Sequence, residues 1–399
     1  MMHFRDVTAP QSGPAISHSF CCQFATQPAA EKLVHALLSH YVTTLIPPFL
    51  VLPTAASGCC GLHSPALYRN VELNFGRCRL VIQGTCPDPD VQFFLYTRRN
   101  PIAAQSVDVR KLRSSDFNSS HPTKLIIHGY NSDTNLDVLM DIRKAYLVAG
   151  QHNIIAVDWS RLCPGPCYPS AVYNAKFAGE CIAQIVDALR TDGASDIHIV
   201  GFSLGAHVAA FTANNLRPYI LPRITGLDPA MPFFVTVNKD QKLDASDAVF
   251  VDVIHTNALV QGKIEASGDV DFYVNGGIRQ PGCWSESNPF GCDHHRAPAY
   301  FAESITSSKG FWGWHCPSFM SFLLGQCPPR YPAVLMGDKV PSDTRGFYLV
   351  MTGAEKPFAL GTWVMSPQDD LRPKHRDKLP GDNAIDNEEY ATLPVAVEV

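Results

Sequence analysis

Short, unbroken apolar runs separated by helical patterns constrain this chain more than any other feature. Leu125-Ile126-Ile127 and Ile154-Ile155-Ala156-Val157 show no polar face, so each needs cover from both sides, as in the centre of a mostly parallel sheet. Further strands are expected over Lys124 to His128, Asn153 to Asp158, Asp196 to Gly201, Arg223 to Gly226 and Ala248 to His255. Between the second and third, Ala171 to Arg190 repeats Phe177, Ile182, Ile185 and Leu189 at helical spacing and stops before Gly193. The alternation predicts an α/β fold: a mostly parallel central sheet with helices on both faces. With 399 residues, 46% hydrophobic and 17% charged, the chain can build such a core. Its net charge of -5, with no long basic run, argues against a nucleic-acid partner.

Four segments are expected: an N-terminal extension (1–58), a short N-terminal segment (59–85), a catalytic domain (86–365) and a polar tail (366–399). The apolar stretch Leu33 to Leu52, followed by small residues to Gly58, reads as a signal-peptide core with a cleavage region near Ala56 to Gly58. An uncleaved signal anchor is the alternative. Thirteen cysteines, scattered rather than set in repeated C-x-x-C pairs, fit disulfides better than structural zinc and place the protein outside the cell.

The chemistry is concentrated in Gly201-Phe202-Ser203-Leu204-Gly205, a G-x-S-x-G between an expected strand and an expected helix. A strained strand-to-helix turn exposes the serine, and the glycines relieve the crowding. A serine hydroxyl needs a histidine to take its proton and a carboxylate to orient that histidine. Asp228 ends the next strand and is the preferred acid; an ordinary Asp-Pro turn is the bland reading, and mid-strand Asp252 fits a structural role better. Among fifteen histidines, His207 reads as a packing or hydrogen-bonding residue and His255 lies early in the chain for a base. His294 and His295 follow a loop between Cys283 and Cys292, and composition does not choose between them. The oxyanion requires two amide donors: Leu204, after the nucleophile, and Tyr130, in the turn His128-Gly129-Tyr130-Asn131.

Taken together, these segments resemble the pancreatic lipase family of α/β-hydrolases, within it the insect-type lipases and phospholipases A1. The resemblance also runs through Val251 to Thr256, Asp271 to Gly277 and Gly346 to Val350, about 280 residues in the family's order. It implies Ser203 as nucleophile, Asp228 as acid, His294 as base, and Tyr130 and Leu204 as oxyanion donors, with no cofactor. It also implies a lipid substrate at a membrane, micelle or droplet surface. The family's histidine before the nucleophile is Phe202 here, and the Asp after His-Thr is Asn257. No C-terminal β-sandwich, and hence no colipase-binding domain, is expected.

Only eight residues separate Cys283 from Cys292, where the full-length pancreatic enzymes carry a long amphipathic lid. A lid this small implies an open site, as in phospholipases A1 and neutral lipases, with Trp284 and Phe290 either touching lipid or packing under the loop. The resemblance further implies disulfides Cys283–Cys292 and Cys316–Cys327, and a calcium segment matched by Asp244 and Asp247. Cys86 is expected to reach the Cys163/Cys167 loop. Asn118-Ser119-Ser120 is a glycosylation acceptor in a secreted chain. The function expected is a secreted carboxylester hydrolase acting on glycerides or phospholipids; the competing class is a silent, yolk-like lipid-binding protein.

Overall fold

Period-two alternation within the apolar runs explains how one sheet carries two cores. In the computed structural model, which describes residues 71–362, Leu125 and Ile127 join the hydrophobic core on one face while Ile126 joins that on the other. The described residues open with a hairpin, β1 (Val71–Phe75) and β2 (Cys78–Gln83), then β3 (Gln92–Tyr96) and β4 (Gln105–Ser106). There follow β5 (Thr123–Ile127), α1 (Asp137–Ala149), β6 (Asn153–Asp158), α2 (Tyr168–Thr191), β7 (Ile197–Phe202), α3 (Leu204–Leu216) and β8 (Leu221–Leu227). The remainder is β9 (Ala248–His255), β10 (Val270–Val274), α4 (Pro289–Thr306), β11 (Phe311–Cys316), α5 (Phe319–Leu323), β12 (Ala333–Met336) and β13 (Gly346–Val350).

The large sheet runs β12-β11-β13-β10-β9-β8-β7-β5-β6-β3-β4. Its middle, from β13 to β6, is parallel throughout, and antiparallel strands flank it at both ends. Helices α2 and α3 cover one face; α1 and α4 cover the other. This is the α/β-hydrolase architecture that the sequence predicts.

The five expected strands are β5 to β9, each within a residue or two of its predicted bounds. Four disulfides form among the described residues, Cys78–Cys167, Cys86–Cys181, Cys283–Cys292 and Cys316–Cys327. Cys86 therefore pairs with α2 itself, not with the Cys163/Cys167 loop, and Cys163 stays a buried free thiol. The sequence could not show that Cys181 faces the hairpin side of α2. The expected signal segment, the tail from 366 and the pairs Cys21-Cys22 and Cys59-Cys60 lie outside the described residues.

Candidate active site

Strand order places the site before any side chain is considered. The chain steps from β5 to β6 on one side, then returns to form β7 on the other, so the loops leaving β5 and β7 diverge from neighbouring strands. Such a switch point opens a crevice at the carboxyl ends of the strands. Ser203 leaves β7 there with φ 57° and ψ -119°, a backbone region that stores strain. The turn is so tight that a Cβ on Gly205 would lie 2.4 Å from the Ile127 carbonyl oxygen, and one on Gly129 2.8 Å from Ser203 Cβ. The Ser203 N–H donates to the Leu227 carbonyl at 2.9 Å, which ties the elbow to β8.

Asp228 follows β8 on the same rim and is fully buried. Its Oδ1 accepts from the N–H groups of Thr256 (2.9 Å) and Asn257 (3.1 Å). With that oxygen held, Oδ2 faces His294 and accepts from Nδ1 at 2.5 Å. Gly262 leaves room for the carboxylate, since a Cβ there would sit 2.4 Å from Oδ1. The loop that supplies these contacts springs from His255, whose Nδ1 lies 2.8 Å from the Lys263 carbonyl and Nε2 2.8 Å from Asp271 Oδ1. A carbonyl only accepts, so Nδ1–H donates to Lys263 and the proton between Nε2 and Asp271 Oδ1 is shared by that pair. His255 thus braces the acid's cradle and does not touch Ser203's partners, a role that sequence reasoning missed.

His294 lies in the first turns of α4, whose start is pinned by the Cys283–Cys292 disulfide and by Asn288, whose side chain accepts from the Gly291 N–H. Its ring packs 4.6 Å from that of Phe202, so the residue before the serine positions the imidazole. Because Nδ1–H donates to Asp228, Nε2 is left as the acceptor. Among the described residues, no hydrogen bond joins Ser203 Oγ to an imidazole; direct contact unites Asp228 and His294, while Ser203 shares their rim. His295 is exposed, 5.7 Å from Phe202 on centroids, and touches no carboxylate.

The other sequence candidates have structural roles. Asp252 receives Arg223 Nε at 2.8 Å and the Thr225 hydroxyl at 2.9 Å. Burial pushes His207 down to about 3, so it is neutral: Nε2–H donates to the Ala230 carbonyl and Nδ1 accepts from Leu243 N–H.

The loop after β5 is clamped at both ends. His128 Nδ1–H donates to the Gly129 carbonyl at 2.9 Å and Nε2 accepts from Trp159 N–H at 3.1 Å, while the Trp159 indole N–H reaches the His128 carbonyl. Asn131, with φ 50°, donates its N–H to the Cys163 carbonyl. Between them, the Tyr130 N–H has no backbone acceptor among the described residues. Leu204 opens α3 and so has no intrahelical acceptor either. Both expected donors are therefore unspent.

Beside the crevice, apolar side chains face solvent: Phe233 (63% exposed), whose ring lies 6.1 Å from that of Tyr168, and Leu259 (54%). Trp284 does not pack under its loop; it lies over the Arg279 guanidinium at 3.8 Å. A hard cation would fit the turn at Asp244 and Asp247, because Asp244 Oδ2 and Asp247 Oδ1 are buried without hydrogen-bond partners. Burial, reinforced by the Asp244 charge, pushes Asp247 up to about 8. No group of three or more His, Cys, Asp or Glu surrounds the pair among the described residues, so backbone carbonyls and waters would complete the shell.

Strand order, elbow and switch-point crevice define the class, an α/β hydrolase. Within it, a family model described as Lipase matches residues 72–358, and the chain belongs to that family. Pancreatic triacylglycerol lipase from Cavia porcellus is 36% identical over 305 residues, covering 68% of this chain and 65% of the relative. Lipase member H-A from Xenopus laevis is 36% identical, covering 59% and 53%, and pancreatic lipase-related protein 2 from Mus musculus 35% identical, covering 61% and 55%. The chain thus spans between half and two thirds of the length of these relatives.

Proposed function

We propose that the protein is a secreted serine hydrolase of carboxylic esters, with glycerides or phospholipids as substrates, of lipase or phospholipase A1 type. Ser203 Oγ attacks the ester carbonyl as His294 Nε2 takes its proton, and Asp228 holds the imidazole by Nδ1 and balances the imidazolium charge. The Tyr130 and Leu204 amides receive the oxyanion. The alkoxide then leaves with the proton from His294, and water attacks the acyl-enzyme by the same path in reverse. No cofactor enters the reaction.

The observation that carries this reading is the Asp228–His294 bond of 2.5 Å, with the second carboxylate oxygen already held by two amides. The exposed apolar rim supports a lipid surface as partner, since scattered polar substrates would not select it. Four disulfides support an oxidising, extracellular setting.

The test is hydrolysis of phosphatidylcholine in mixed micelles and, separately, of emulsified triglyceride. Ser203→Ala should lower turnover on the preferred substrate by a factor on the order of 10⁴ to 10⁶ without changing the melting temperature. His294→Ala should be far worse than His295→Ala. Phospholipid turnover identifies a phospholipase A1 and triglyceride turnover a lipase with a small lid; a folded protein silent on both would sink the proposal.

A further inference from the structure

A second cavity lies along the sheet from Ser203, between the Cys283–Cys292 loop and the ends of β10 and β13. It encloses about 330 Å³ and is walled by Trp284, Trp314, Phe322, Leu349 and Met351. That volume is at the small end of the roughly 300–1,000 Å³ usual for small-molecule sites. β10 and β13 lie three and four strand spacings from β7, or roughly 14 and 19 Å at the usual spacing. The cavity is therefore not the crevice that holds the reacting ester.

Its polar lining is selective. Arg279 brings the one formal charge in the wall, beside the amides of Asn275 and Gln280. The guanidinium has Trp284 over its face at 3.8 Å and Phe290 at 4.9 Å, which fixes its plane and leaves its N–H edge for an acceptor. Among the described residues Arg279 Nε makes an ion pair but no hydrogen bond. The group that opposes an anion here is Asp293, whose Oδ2 is 3.3 Å from Nε and is itself without a hydrogen bond. Burial raises the pKa of Asp293, while the Gln280 N–H and Arg279 pull it back down.

We infer that this cavity binds one fatty acid, its alkyl chain among Trp314, Phe322, Leu349 and Met351 and its carboxylate on the edge of Arg279. The apolar wall selects a chain and the single cation selects an acidic head. Only the choice of fatty acid as the source of that head rests on the hydrolase reading above, in which it is the acyl product. Gln280, in the cavity wall, donates its N–H to Asp293 Oδ1 at 2.7 Å, and Asp293 precedes His294, which links the cavity to the proposed base.

The experiment is titration of the full chain with dodecanoate below its micelle concentration, read by calorimetry and by tryptophan fluorescence compared with that of Trp284→Phe. Dodecanol and dodecyl phosphate serve as the uncharged and phosphate comparators. One dodecanoate should bind per chain, at least tenfold tighter than dodecanol. Arg279→Gln should abolish that preference, and Arg279→Lys should keep part of it. Met351→Asp, at a half-exposed wall position, should weaken dodecanoate with Arg279 intact. An unchanged preference in Arg279→Gln, or phosphate binding tenfold tighter than carboxylate, would overturn the assignment. Binding is read without turnover, so a chain that hydrolyses no ester can still bind dodecanoate, and an active one can fail to.

Discussion

Asp228 shows how a single buried carboxylate is oriented by the backbone around it. Its cradle is a pair of amides, and their loop is closed by His255 between Asp271 and the Lys263 carbonyl. His255→Phe keeps a ring against Tyr273 but strands a buried carboxylate and a carbonyl. Loss of one partner of a buried pair costs about 3–5 kcal/mol, so urea denaturation should show a fall of that size. Activity at temperatures where the variant remains folded should fall as well, through a looser Asp228–His294 bond; a variant as stable as the parent would refute the bracing role of His255. Asp247 carries a second residue-scale prediction. Its folded pKa of about 8 lies above the ordinary value near 3.9. Between those values the folded chain holds a proton that the unfolded chain has released, so stability falls as pH rises through this window and this contribution is lost above about pH 8. Asp247→Asn should flatten the decline. A cation on the two carboxylates should do the same, so calcium should raise the melting temperature more at pH 9 than at pH 6, and not at all in Asp247→Asn; equal effects at both pH values would remove the cation from this turn.

Among the elements, the loops carry what the strands cannot. Phe233 and Leu259 are exposed, apolar and held at φ 69° and 70°, a combination that a purely solvated loop would not retain. Their loops are tied together by Met231 N–H to the Gln261 carbonyl at 2.8 Å, so the two side chains belong to one edge of the crevice. Burying a phenylalanine in lipid contributes about 1.5–3 kcal/mol. Phe233→Ser should therefore cut turnover on micelles by roughly tenfold or more while leaving a dissolved short-chain ester unaffected; equal losses on both would make Phe233 part of the site itself. None of this was legible beforehand, because exposure and positive φ leave no periodic trace. The central strands were legible because double burial forces unbroken apolar runs, and so was the placing of Ser203 and Asp228 at the ends of β7 and β8; the choice of His294 over His295 came only from the family resemblance. β10, β11 and β13 needed the tertiary setting: Val270 to Val274 is as buried as β5, yet it begins Val-Asp-Phe and mixes polar with aromatic residues. His255 was weighed only as a base, since its partners are a backbone carbonyl and an aspartate 16 residues on.

At the scale of the molecule, the same topology that opens the crevice leaves the β1–β2 hairpin outside the main sheet. A two-stranded hairpin alone is marginal in water; here Val81 is buried, Asn174 on α2 bonds both Val81 N–H and the Arg79 carbonyl, and Cys78–Cys167 and Cys86–Cys181 link the region to α2 and its start. The bonds close loops of 89 and 95 residues. Treated separately, each contributes about 4.7 kcal/mol of chain entropy. They are not separate, because once either has formed the other closes a ring of only about 22 residues, through the short arms Cys78 to Cys86 and Cys167 to Cys181, for about 3.4 kcal/mol. Replacing either pair by alanines should then destabilise by about 3.4 kcal/mol and replacing both by about 8, a coupling of about 1.3 kcal/mol. A domain stabilised by the usual 5–15 kcal/mol survives one loss more readily than two. Denaturation of the two double variants and the quadruple variant measures the coupling directly, and strict additivity would mean that the unfolded chain does not treat the two bonds as one nested constraint.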